Sequence, residues 1–80
     1  MDEEQTLSSL EPGQKGTILR VNGSGAARRR LIDMGMTRGT RVELIGKAPF
    51  GDPLDFMVRG YHLSLRKQES DTIIVTIESD

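Results

Sequence analysis

The side chains of this chain with chemistry to offer are the arginine run Arg28-Arg29-Arg30, the Asp52-Pro53 turn with Asp55 close behind, and a sole histidine, His62. Guanidinium groups grip carboxylates and phosphates through paired hydrogen bonds. The run therefore reads as a docking patch, a phosphate clamp or an arginine finger aimed at a partner's nucleotide, against the plainer reading of a solvated helix face. Consecutive helical residues step about 100° apart, so the three span roughly 200° and cannot all serve one ligand. Arg29 faces outward, Arg28 lies at a border, and Arg30 is close enough to the core to bond a neighbouring carboxylate.

One imidazole and scattered carboxylates make a poor transition-metal site, because selectivity there needs several N, O or S ligands in fixed geometry. From one histidine and no cysteine, neither a Cys–His nor a Ser–His–Asp constellation is expected to be assembled. No catalytic residue, resident metal or cofactor is expected. Gly23-Ser24-Gly25 followed by Ala26-Ala27-Arg28 imitates a dinucleotide fingerprint, but Arg28 stands where a small residue must let helix and strand pack closely.

The elements that must position these groups fit one small domain. Eighty residues, 35% hydrophobic and 29% charged with a formal net charge of −1, suffice for a modest core and give no global field toward nucleic acid or an anionic membrane. Aromatic platforms for stacking bases are few. The start, Met1-Asp2-Glu3-Glu4-Gln5, is acidic without a signal-type apolar run, and no stretch of ~18 apolar residues occurs, so a cytoplasmic protein that does not insert in the membrane is expected.

Residues 1–9 lack periodicity and read as a flexible acidic leader, with residues 10–80 forming the domain. A first strand over Lys15 to Val21 places Ile18 on one face and Thr17, Leu19 and Val21 on the other. Ser24 is set to cap a helix from Ala26 to Met34 through its side chain. On that helix Ala27, Leu31 and Met34 share the core face, Gly35 takes the left-handed position past the end, and Ile32 is displaced outward, an apolar residue where solvent is expected. After a turn at Met36 to Gly39, strands follow at Thr40 to Ile45, Leu54 to Val58, Tyr61 to Leu65 and Thr72 to Ile77, with Gly60 at a bend and a single helical turn at Arg66 to Asp71 capped by Ser64. The loop Lys47 to Pro53 carries Phe50, either as an exposed aromatic for recognition or as a lid folded back on a barrel end. Five short strands around one helix predict a mainly β fold, a small antiparallel barrel.

Arg30-Leu31, Met34-Gly35, Gly39-Thr40, Gly51-Asp52-Pro53 and the Gly60 to Lys67 stretch, in that order and spacing, resemble the FeoA family of small cytosolic accessory proteins in bacterial ferrous-iron uptake. The resemblance runs over Leu10 to Ile77 and implies an SH3-like β-barrel with a helix inserted after the first strand. It also implies a partner, the FeoB permease, whose cytosolic G-protein domain would recruit the chain to the inner face of the membrane. Its mode of action stays open between permease assembly, nucleotide-state bias and an arginine supplied in trans. Arg28, Arg29, Ile32, Phe50 and Asp52 are the expected partner-binding residues. Ser24, Leu31, Met34, Gly35, Gly39, Gly51, Pro53 and Gly60 are the expected structural motif. A similar SH3-like module forms the C-terminal part of metal-dependent repressors, so the alternative function is a regulatory domain of that kind.

Overall fold

The computed structural model describes residues 3–78. In chain order its elements are β1 (Glu4–Thr6), a 3₁₀ turn (Leu7–Ser9), β2 (Lys15–Val21), α1 (Gly25–Asp33), β3 (Arg41–Lys47), β4 (Leu54–Val58), β5 (Tyr61–Leu65), α2 (Lys67–Ser70) and β6 (Ile73–Ile77). Six strands form one antiparallel sheet in the order β1-β6-β2-β3-β4-β5, so the sheet ends at β1 and β5 without closing. The small, mainly β fold with a helix after the Lys15–Val21 strand is thus present.

The extra strand lies in the stretch expected to be a flexible leader. Glu4–Thr6 pairs with Ile74–Thr76 of β6, and Leu7 and Leu10 are fully buried. So short and polar a strand has no periodicity of its own; its pairing comes from β6, far away in sequence. The Ser8 hydroxyl bonds the Asp71 carboxylate beyond α2, fastening this segment a second time. Met1 and Asp2, the rest of the expected leader, lie outside the described residues.

One buried cluster gathers side chains from most of the sheet, including Ile18, Leu44, Phe56, Leu65 and Val75, with Leu31 from α1. Strict alternation fails in β2. The register with β6 shifts between Ile18 and Arg20, which flips the phase over the last residues of the strand and buries Val21 with Ile18 on the core side. A second irregularity, between Leu44 and Gly46, leaves Ile45 exposed.

Between β4 and β5 only Arg59 and Gly60 remain, at φ values of 49° and 85°. Two left-handed residues in a two-residue loop make a type I′ turn, whose twist matches that of the paired strands. Gly60 adopts this conformation freely, whereas Arg59 does so at roughly 1 kcal/mol. Its guanidinium donates to the hydroxyl of Thr40, a buried residue, at 2.8 Å, which offsets part of that cost.

Candidate partner-binding surface

Helix α1 is short and ends cleanly. Gly35 (φ +103°) follows its last residues, with Gly35 N–H bonded to Ile32 O and Met36 N–H to Leu31 O, each at 3.0 Å. These two bonds form a Schellman motif and satisfy carbonyls that the helix leaves open. Tyr61 of β5 serves another: its hydroxyl donates to Met34 O at 2.6 Å. At the opposite end Ser24 holds the N-cap position, but its side chain makes no capping hydrogen bond.

The helix is turned from the orientation that the apolar spacing predicts. Leu31 is buried, Ile32 and Met34 pack half-buried against the core, and Ala27 is exposed. Only the last turns of α1 reach the core, so its first turn is free of the constraint that spacing alone would place on Ala27. Ile32 is therefore a packing residue, and the expectation that it points outward is corrected.

The arginine run divides by function. Arg28 Nε donates to Val21 O at 3.0 Å, tying the helix to the end of β2. Arg30 Nη1 meets Glu69 Oε2 of α2 at 3.0 Å, the carboxylate bond expected of it. Arg29 is exposed and makes no hydrogen bond or ion pair among the described residues.

The loop between β3 and β4 is built around a β-turn, Ala48-Pro49-Phe50-Gly51, closed by Gly51 N–H to Ala48 O at 2.7 Å. Ala48 N–H reaches Pro53 O at 3.0 Å across its base. Phe50 is 99% exposed, which settles the lid alternative against a folded-back ring. Asp52, itself exposed, bonds within the chain: its Oδ1 accepts Lys67 N–H at 3.0 Å, at the first residue of α2, with Arg66 Nη1 at 4.0 Å. A carboxylate there satisfies one of the unpaired N–H groups at the start of a helix.

Glu69 supplies the other cap of α2. Its Oε1 accepts Arg66 N–H at 2.9 Å while its Oε2 holds Arg30. The cap expected from Ser64 is absent because that hydroxyl bonds Asp55 on the neighbouring strand. Helix α2 thereby links the loop that carries Phe50 to the helix that carries Arg29.

Of the remaining motif positions, Gly39 N–H bonds Ile18 O at 2.8 Å and joins the turn after α1 to β2. His62 lies exposed on β5 opposite Met57. No group of three or more His, Cys, Asp or Glu side chains able to hold a metal ion occurs among the described residues. None of the helices described is long and apolar enough to cross a membrane. Sequence reasoning missed the bonds that Arg28 and Asp52 make within the chain and the reach of Tyr61 to α1. All three are bonds to backbone groups, across seven residues for Arg28, 15 for Asp52 and 27 for Tyr61; only the last had a signal, the Arg59-Gly60 hairpin that fixes where β5 begins.

Residues 5–77 match the FeoA domain family. A fusion protein of Porphyromonas gingivalis, Fe(2+) transport protein A joined to Fe(2+) transporter FeoB, is 34% identical over 73 residues, which make up 91% of this chain and 9% of the fusion. A FeoA-like protein from Clostridium acetobutylicum superposes with a TM-score of 0.90 at 38% identity, covering 100% of this chain and 93% of that one. FeoA of Stenotrophomonas maltophilia, solved with zinc and described as a procaryotic SH3 domain protein, gives 0.78 at 29% identity over 89% of this chain and 88% of its own. A manganese-dependent transcriptional repressor shares the fold, with a TM-score of 0.85 over 98% of this chain and 44% of its own, at only 15% identity. With the family match spanning all but the two ends and the fold shared with the solved relatives, the chain belongs to the FeoA family of ferrous iron transport.

Proposed function

We propose that this chain is a non-enzymatic accessory protein of ferrous iron uptake that acts by binding the cytosolic G-protein domain of a FeoB permease. The observation that carries this reading is the Porphyromonas gingivalis fusion, in which a segment related to this chain is covalently part of a FeoB transporter. Joining two modules in one polypeptide raises the effective concentration of each for the other, an arrangement that favours partners which act together. The surface offers what docking needs: an unengaged guanidinium at Arg29 and a fully exposed aromatic at Phe50. To Arg28 and Asp52, which bond within the chain, and to Ile32, which packs against the core, we assign supporting roles beside that surface. The chain works in the cytoplasm and is recruited to the inner face of the membrane by the permease.

The likeness to the manganese-dependent repressor is one of fold and does not favour the regulatory alternative. Surface plasmon resonance of the purified chain over an immobilised FeoB cytosolic domain tests the proposal. Saturable binding at micromolar concentrations is expected in at least one of the nucleotide-free, GDP-bound and GTP-analogue states. Its absence in all three overturns it.

A further inference from the structure

We infer that Phe50 is a preordered anchor for an apolar pocket on the permease's cytosolic domain, and that Asp52 is the residue that positions it. This rests on the reading that the chain binds FeoB. A phenylalanine that is 99% exposed contributes nothing to the core, yet the loop beneath it is fixed at three points. Gly51 N–H closes the turn on Ala48 O, Ala48 N–H closes the base on Pro53 O, and Asp52 Oδ1 clamps the loop to Lys67 N–H of α2. Pro49, just before Phe50, sets φ at the position of a β-turn where proline fits best. The ring therefore leaves the surface from a backbone with few alternatives.

Such an aromatic loses little freedom when it is buried by a partner, and buried aromatics carry a large share of interface energy. A cation over such a ring at an exposed site contributes less than burying the ring in an apolar pocket. The chemistry that best accepts a bare phenyl ring is a desolvated apolar pocket, rimmed by polar groups that can face two exposed cations, Lys47 at the start of the loop and Arg66 at 4.0 Å from Asp52. The contribution of Asp52 is indirect. Its Oδ1 holds Lys67 N–H, and without that bond the loop samples other conformations and binding must select the competent one.

The experiment measures association and dissociation on an immobilised FeoB cytosolic domain for the wild type, Phe50→Ala, Phe50→Leu, Asp52→Ala, Asp52→Asn and the double variant Phe50→Ala with Asp52→Ala. Far-UV circular dichroism and melting verify the fold of each. Phe50→Ala is expected to raise Kd at least ~10-fold through faster dissociation, with Phe50→Leu in between. Asp52→Ala is expected to weaken binding several-fold, Asp52→Asn to restore it because the amide oxygen still accepts from Lys67 N–H, and Asp52→Ala to add nothing once Phe50 is gone. Should Asp52→Ala lose the fold, Lys67→Pro removes the same donor at a helix position that tolerates proline. Wild-type binding with unchanged Phe50→Ala kinetics overturns the anchor and leaves the FeoB reading standing. Additive losses at the two sites overturn the positioning role, and failure of the wild type to bind overturns the reading itself together with this inference.

Discussion

The Tyr61 hydroxyl that donates to Met34 O also lies 2.6 Å from the place where a Cβ on Gly35 would stand. Strand β5 thus reaches the end of α1 at a point where only a glycine leaves room, and the same glycine needs its positive φ. Gly35→Ala is expected to cost about 2–3 kcal/mol, through strain in the backbone and collision with the hydroxyl. Tyr61→Phe should cost about 1 kcal/mol for the lost hydrogen bond. The double variant should lose less than the sum, because removing the hydroxyl also removes the collision. Urea denaturation of the four proteins checks this; strict additivity would show that the close approach does not limit position 35.

Glu69 divides its carboxylate between a backbone cap and an ion pair, and the two are separable. Glu69→Gln keeps an oxygen for Arg66 N–H and weakens only the exposed pair with Arg30, so a loss under about 0.5 kcal/mol is expected, vanishing at high salt. Glu69→Ala removes the cap as well and should cost about 1 kcal/mol at any salt concentration. Equal losses in the two variants would contradict this division.

Stability should fall in acid partly through Asp71. The Ser8 hydroxyl bond holds its carboxyl below the ordinary value of 3.8, Lys67 assists, and desolvation opposes them. A depressed folded-state pKa stabilises the folded chain above that ordinary value, and the contribution is lost as pH falls through the folded-state pKa. Ser8→Ala should therefore destabilise the protein near neutrality and flatten its loss of stability below about pH 4. Parallel wild-type and Ser8→Ala curves of melting temperature against pH would count against the linkage.

Ile32 and Arg29 should separate stability from binding. Ile32→Ala is expected to lower stability by about 1–2 kcal/mol, the cost of emptying a half-buried apolar site. Arg29→Glu should leave the melting temperature within about a degree of wild type, as surface changes do, yet slow association with the permease domain by a factor that shrinks as salt rises. Unaltered association rates in Arg29→Glu would move the charged part of the interface elsewhere.

How far each feature was legible in the sequence depends on how local its cause is. The alternation of Leu54, Phe56 and Val58 with polar neighbours marked a strand and its buried face, and those residues are buried as expected. The glycine after Met34 marked the end of α1 because the left-handed position is a local requirement. Strand β1 was not legible, since Glu4–Thr6 is extended only because β6 offers an edge. The phase change in β2 was hidden for a related reason: the register shift is set by pairing with β6, and nothing in Leu19-Arg20-Val21 announces it. At the surface, Phe50 was recognisable from its type and its loop, whereas the bond of Asp52, expected among the partner-binding residues, to Lys67 N–H became visible only with α2 placed beside it. Ile32 misled because ideal helical spacing assumes that the whole length of a helix rests on the core.

The sheet's two free ends bear on whether copies of the chain can pair through them. Pairing of β5 with β4 uses one edge of β5, and no backbone group of His62 or Ser64 bonds another element among the described residues. Bare strand edges invite a second chain to continue the sheet. A net charge of −1 provides almost no overall repulsion, so protection must be local. Arg59 precedes the edge and Arg66 and Lys67 follow it, which sets cations at both of its ends. Two copies meeting antiparallel along β5 would bring those cations face to face, while at the far end β1 is only three residues long and gives an incoming strand little to hold. The cations beside β5 and the shortness of β1 both work against extension of the sheet through its open edges.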